Sequence, residues 1–248
     1  MTTKPVTFIT GANKGIGNEV ARQLAQHDFT VLIGTRNVQR GEAAAETLRA
    51  EGFDVHFVPI DINDESSIKD AAETVARQWK QVTVLINNAA VNYDFSPATR
   101  PSMLSVDVLK DTFLTNVFGA FATIHHFLPL LKQAGTAQIL KPQIINISST
   151  LGSLTSLSDP EHYYYGVNTV AYNSSKSALN AITVALAKDL VEDKISVNSI
   201  CPGWVKTDMG TDNAPRTIEQ GASIIVKLAT MENPPTGKFL DDDGEILW

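Results

Sequence analysis

Short β-branched runs alternate with longer stretches of helical periodicity along this chain, and that alternation confines it to a parallel sheet with helices on both faces. The strand runs are Val6–Thr10, Thr30–Thr35, Val55–Pro59, 82–87, 143–148 and 195–200. Ligands in such α/β sheets sit beyond the carboxyl ends of the strands, where strand order reverses. The segments directly after each run are therefore where function is expected. No repeat, low-complexity tract or Pro/Gly/Ser-rich linker interrupts the pattern, and 248 residues suit one large α/β domain covering 1–248.

After the first run comes Thr10-Gly11-Ala12-Asn13-Lys14-Gly15-Ile16-Gly17, then an amphipathic stretch through Gln26. Glycines there let the backbone turn tightly and approach a pyrophosphate, whose charge meets the free N–H groups of the following helix. The spacing is GxxxGxG, and its place between a strand and a helix is the context that makes it a dinucleotide turn in a Rossmann-type, doubly wound sheet. An acid at the end of the second strand would bind a ribose 2′-OH, whereas a cation there accommodates a 2′-phosphate. The strand ends Ile33-Gly34-Thr35-Arg36-Asn37, without an acid from Thr30 to Arg40. Lys14, Thr35 and Arg36 are thus the expected readers of NADP(H) rather than NAD(H).

The third run ends at Asp61 and Ile62, before a helix that Asn63 or Asp64 can cap. Asp61 suits an adenine amino group or a turn equally well. The fourth ends Asn87-Asn88-Ala89-Ala90, small and amide-bearing residues that fit a backbone packed close to a nucleotide and are also ordinary turn chemistry. A long apolar helix over 106–131 contains Asn116, which either faces water or satisfies something buried. The fifth run ends Ser148-Ser149-Thr150, and the sixth leads through Cys201 into Pro202-Gly203-Trp204-Val205-Lys206-Thr207-Asp208. Residues 209–220 after it have the look of a mobile lid.

A further helical run, 171–190, opens Tyr172-Asn173-Ser174-Ser175-Lys176. Positions i and i+4 share a helix face, so phenol and ammonium point the same way. Moving a phenol from about 10 to about 7 requires roughly 4 kcal/mol of charge stabilisation, which a lysine and a cationic cofactor could supply. The cluster Tyr163-Tyr164-Tyr165 lacks a lysine four residues on and is a better wall than acid.

Composition removes several classes. The single Cys201 excludes an internal disulfide and a cysteine-rich zinc site, and suits a reducing compartment. The five histidines show no HExxH spacing, so no metal site is expected. A formal charge of −7 without a basic block argues against nucleic acid. No charged and apolar leader opens the chain and no apolar stretch reaches about 18 residues, which points to a cytoplasmic protein without a membrane partner.

Taken in order, TGANKGIG, NNAA, INISS, YNSSK and PGWVKT resemble the short-chain dehydrogenase/reductase family over essentially the whole chain, and most resemble its NADPH-dependent carbonyl reductases. The resemblance implies that Tyr172 protonates a carbonyl oxygen, that Lys176 tunes the phenol and holds the nicotinamide ribose, and that Ser149 orients the carbonyl. It implies that Asn116 holds a water linking Lys176 to solvent. Gly11, Gly15 and Gly17 would line the pyrophosphate, Asp61 and Asn87 would flank the adenosine half, and Val205 with Thr207 would hold the carboxamide. Asn13, Ile16, Ile62, Ala89, Pro202 and Gly203 complete the implied cofactor site. Ala90 stands where the family usually has glycine. The stretch between Ser149 and Tyr172 is longer than in short members and much shorter than the insertion of monomeric carbonyl reductases, so monomer and small homo-oligomer stay open.

The expected activity is reversible NADPH-dependent reduction of ketones or aldehydes. Loops 92–105, 151–171 and 204–220 would form the substrate side, and Tyr93, Phe95, Leu154, Leu157, the three tyrosines and Trp204 favour bulky, aryl-bearing compounds. Alternatives are a lyase or epimerase of the same fold, and a non-catalytic NADP(H)-sensing protein.

Overall fold

The computed structural model describes residues 4–95, 100–137 and 140–248. Residues 96–99 of the expected substrate loop, and 1–3, lie outside the described residues. The chain runs β1 (Val6–Thr10), α1 (Gly15–Gln26), β2 (Thr30–Thr35), α2 (Val38–Ala50), β3 (Val55–Pro59), α3 (Glu65–Gln78), β4 (Val84–Asn87), α4 (Val106–Phe113), α5 (Ala120–Ala137), β5 (Gln143–Ile147), α6 (Leu154–Ser158), α7 (Val170–Asp189), β6 (Ser196–Ile200), α8 (Ile218–Ala229), β7 (Phe239–Asp241) and β8 (Gly244–Glu245). The sheet order is β3-β2-β1-β4-β5-β6-β7-β8, parallel except for β8. Strand order reverses between β1 and β4, which fixes the switch point and hence the cleft.

Successive strand residues point to opposite faces, so each central strand feeds two cores. Ile9, Ile33 and Ile86 pack with Val20, Leu24, Leu48 and Ile225 on the face covered by α1, α2 and α8. Their neighbours Phe8, Leu32 and Leu85 pack with Ile68, Val75, Ile124 and Phe127 on the face covered by α3, α5 and α7. Phe8 and Phe127 meet at 4.4 Å between centroids. At about 25 cal/mol per Å² of apolar surface, burial on both faces is the dominant stabilising contribution.

Several boundaries differ from the sequence reading, each for a local reason. β4 begins at Val84: the Val82 amide bonds to Leu130 of α5, and Thr83 still donates to Val6 O and accepts from Gln143 N at the margin of the sheet. β5 and β6 each lose one terminal residue, Ser148 and Ile195. The β7–β8 hairpin was not expected, since its Asp241-Asp242-Asp243 turn lacks apolar alternation. The apolar helix 106–131 extends to Ala137 and is interrupted by a π-helical turn, Leu114–Gly119. By length and composition Val106–Thr136 could cross a membrane, but 56% of its apolar window is buried in this fold, as befits a core helix.

Candidate active site

A cleft of about 1300 Å³ lies over the switch point. One bank is the turn between β1 and α1. Gly11 has φ 68°, and a Cβ there would sit 2.9 Å from the Ala89 Cα. A Cβ on Gly17 would lie 2.4 Å from the Asn88 amide nitrogen, so both positions demand the absence of a side chain. Asn88 braces the two strands, its Nδ2 donating to Thr10 O at 2.9 Å, while Thr10 Oγ1 accepts from the Asn88 and Ala89 amides. Lys14 stands at the N-cap of α1 without a capping side chain, and the first turn holds no acid, so the opening N–H groups face the cleft. Thr35 and Arg36 line the same bank, and Lys14 forms an ion pair with Asp208 from the turn after β6.

At the other end of the cleft, α7 presents Tyr172 and Lys176. The Lys176 Nζ lies 5.5 Å from the centre of the Tyr172 ring and donates to Ile147 O at 2.8 Å. Ser149 caps the turn that follows β5, accepting from Leu151 N at 3.2 Å. Asn116, in the π-helical turn, accepts from Val91 N at 2.8 Å and donates to Val91 O at 2.9 Å and to Ser175 Oγ at 3.0 Å. Such π turns recur at functional sites because they redirect one side chain of a helix. Cys201 Sγ accepts from Thr150 N and Thr150 Oγ1, both at 3.2 Å, tying the end of β6 to the Ser149 turn.

Burial, with the Cys201 thiol nearby, holds the Tyr172 phenol above its ordinary value, and a hydrogen bond with Ser149 opposes this only in part. Tyr172 is a half-buried residue on the cleft lining, and the packing around its phenol is what sets the direction. Burial also brings the Lys176 ammonium down from 10.5 to about 8, with Cys201 pulling the other way. The lysine alone therefore does not lower the phenol, a lowering expected from the i, i+4 lysine together with a cationic cofactor. The ammonium is turned to the Ile147 carbonyl, and desolvation is the largest influence on the phenol.

The structure brings Gly11, Asn13, Lys14, Gly15, Ile16, Gly17, Thr35, Arg36, Asp61, Ile62, Ala89, Ser149, Tyr172, Lys176, Pro202, Gly203, Val205 and Thr207 to this one cleft. Two of the expected catalytic and cofactor residues do not line it. Asn87 points away, because neighbouring strand residues face opposite sides, and its Nδ2 donates to Asn146 Oδ1 at 2.9 Å. Asn116 is buried behind the wall, with both amide N–H groups engaged. Leu154 and Leu157 belong to α6, outside the lining, and Leu154 is largely exposed. Tyr93, Phe95, Tyr163, Tyr164 and Trp204 do line the substrate end, whereas Tyr165 does not.

The expected lid over 209–220 is a pinned excursion. Its neck is closed by Lys206 N to Arg216 O at 2.9 Å and Arg216 N to Trp204 O at 3.2 Å, and residues from Ile218 already belong to α8. The sequence reading gave no individual site role to Asn88, Cys201 or Asp94. Asn88 had a readable signal, since it neighbours the amide that was chosen, but Asp94 acts on residues 77 and 78 positions away and leaves no local pattern.

A family model described as short chain dehydrogenase matches residues 5–218. "Short-chain dehydrogenase anuI" of Penicillium roqueforti is 32% identical over 251 residues, covering 99% of this chain and 97% of that protein. "Carbonyl reductase [NADPH] 1" of Sus scrofa is 30% identical over 282 residues, covering 98% of this chain and 94% of that protein. Among solved structures, the NADPH-bound carbonyl reductase from chicken fatty liver superposes with a TM-score of 0.86 at 28% identity, over 100% of both chains.

Proposed function

This chain belongs to the short-chain dehydrogenase family, and on that premise we propose that it reduces ketones or aldehydes to alcohols with NADPH, reversibly, with a preference for bulky, aryl-bearing compounds. The observation that carries the reading is a single cleft lined by Lys14, Thr35 and Arg36 at one end and by the Tyr172 phenol and the Ser149 hydroxyl at the other.

The residues fit a dinucleotide with a 2′-phosphate on three counts. The uncapped N–H groups of α1 open on the cleft with no acid in the helix's own first turn. Side chains at Gly11 and Gly17 would fill the cradle. The Ser148 hydroxyl is buried on the cleft wall without a partner. When bound there, the reduced nicotinamide supplies the hydride.

The remaining chemistry belongs to the protein. Tyr172, protonated throughout the neutral range, donates from Oη to a carbonyl oxygen, which becomes more basic than a phenolate as it gains alkoxide character. Ser149 holds the same oxygen by a hydrogen bond and so fixes its direction. Lys176, still largely cationic at neutral pH, offsets the negative charge left on the phenol. Asn116 braces Val91 and α7, and only the second lone pair of its Oδ1 is left to hold a bridging water toward Lys176. Tyr93, Phe95, Tyr163, Tyr164 and Trp204 offer aromatic faces to the substrate.

The test is consumption of NADPH, followed at the nicotinamide absorbance band, across aryl ketones, aliphatic aldehydes and small charged oxo-acids. Turnover of aryl ketones is expected to lead, and Tyr172→Phe is expected to abolish turnover while leaving NADPH binding intact. Full activity in Tyr172→Phe, or cofactor binding without net consumption on any carbonyl, overturns the reading.

A further inference from the structure

We infer that Asp94 is a positioning residue for the Tyr172 proton donor, an inference that rests on the function proposed above. The α7 helix begins in an unusual way. Thr169 occupies its N-cap, yet the Thr169 hydroxyl does not cap. It donates to Asn173 Oδ1 at 2.6 Å. The opening N–H groups are met instead by a carboxylate from a distant loop, Asp94, whose Oδ2 accepts from Ala171 N at 2.7 Å and Oδ1 from Tyr172 N at 3.3 Å. Asp94 is 3% exposed, so the contact is deep in the fold. A charged acceptor at the positive end of a 20-residue helix is favoured by both the free donors and the helix dipole.

What makes this more than a cap is where Asp94 is attached. It lies in the loop after β4 whose Asn92, Tyr93 and Phe95 line the substrate end of the cleft. The start of that loop, Val91, is clamped on both its N–H and C=O by Asn116. Asn116 in turn reaches α7 through Ser175, and Ser175 Oγ donates to Tyr172 O at 2.7 Å. The result is a closed circuit, Asn116 to Val91, along the chain to Asp94, across to Tyr172, through Ser175 and back to Asn116. Substrate wall and proton donor are held as one rigid piece. Releasing Asp94 opens the circuit at the backbone amide of the catalytic tyrosine itself.

The test compares the parent, Asp94→Ala and Asp94→Asn in NADPH-dependent carbonyl turnover, NADPH titration by fluorescence and thermal unfolding. Misplacement of a reacting group by about an ångström costs up to ~100-fold in rate, so kcat of Asp94→Ala is expected to fall by about tenfold to a hundredfold. NADPH affinity should stay within about twofold, because the phosphate bank is at the far end of the cleft. Asp94→Asn keeps the size and one acceptor oxygen, so it should recover part of the lost kcat; it carries the test should the alanine variant fail to fold. A folded Asp94→Ala with parental kcat overturns the inference, as does parental kcat in Asp94→Asn should the alanine variant fail to fold, or a loss confined to KM or to NADPH binding. If the parent turns over carbonyls and Tyr172→Phe does not, while both Asp94 variants match the parent, the positioning role alone fails. If the parent turns over no carbonyl compound, the proposed function fails and this inference with it.

Discussion

The buried ammonium of Lys176 makes a prediction about stability that can be read without substrate or nucleotide. Its folded value near 8 lies below the 10.5 of an ordinary lysine, so between those pH values the folded chain holds fewer protons than the unfolded one. Stability must then rise with pH across that window. Integrating from pH ~7 to ~9.5 gives a gain of about 2 kcal/mol from this residue alone. The range stops there because the Tyr172 phenol, held above 10.0, contributes with the opposite sign at higher pH. For a chain of this length the gain corresponds to roughly 4–8 °C in Tm. Lys176→Met removes the titrating group and retains most of its buried stem, at the cost of leaving Ile147 O without its donor. Urea unfolding by circular dichroism at a series of pH values, on both proteins, isolates the effect as the difference between two curves. The parent curve should climb above that of the variant by about 2 kcal/mol between pH ~7 and ~9.5. Parallel curves would refute the account of how this lysine is housed.

Replacing Arg36 by Asp removes a charge-assisted contact and adds a repelling charge, so NADPH affinity should fall by about tenfold to a hundredfold and NADH affinity far less. Fluorescence titration with both nucleotides checks it, and equal losses would show that the 2′-phosphate is read elsewhere. Gly11→Ala forces a side chain into a left-handed backbone and to 2.9 Å from the Ala89 Cα, so the urea midpoint should drop by an amount equivalent to about 2–4 kcal/mol. An unchanged midpoint would mean that the turn and the end of β4 separate easily.

Local patterns carried most of the architecture. Val6–Thr10, Thr30–Thr35 and Val55–Pro59 were legible to the residue because β-branched runs bounded by turn residues are short-range signals. The β7–β8 hairpin was not, since its pairing depends on the neighbouring edge of β6 rather than on its own sequence. In the site, residues recognisable by a strand–turn–helix context, from Gly11 through Gly17, fell where expected. Asn87 and Asn88 could not be told apart without knowing the pleat. The desolvation that pushes the Tyr172 phenol up was not legible, because spacing along a helix reveals neighbours but not burial. Asp94 was invisible for the same reason that it matters, as its partners are brought to it only by the completed fold.

The two walls of the substrate end differ in how they are fastened, and that difference bears on how new selectivities could be acquired. Val91 and Asp94 are bolted to α7 and to Asn116, whereas the stretch carrying Tyr163 and Tyr164 is closed mainly by turns of its own, such as His162 N to Asp159 O and Val167 N to Tyr164 O. A combinatorial library randomised at Tyr163 and Tyr164 can explore pocket shapes while the proton donor stays in register. Randomising the other wall would couple every change of taste to a loss of speed, which makes the tyrosine loop the evolvable side of this enzyme.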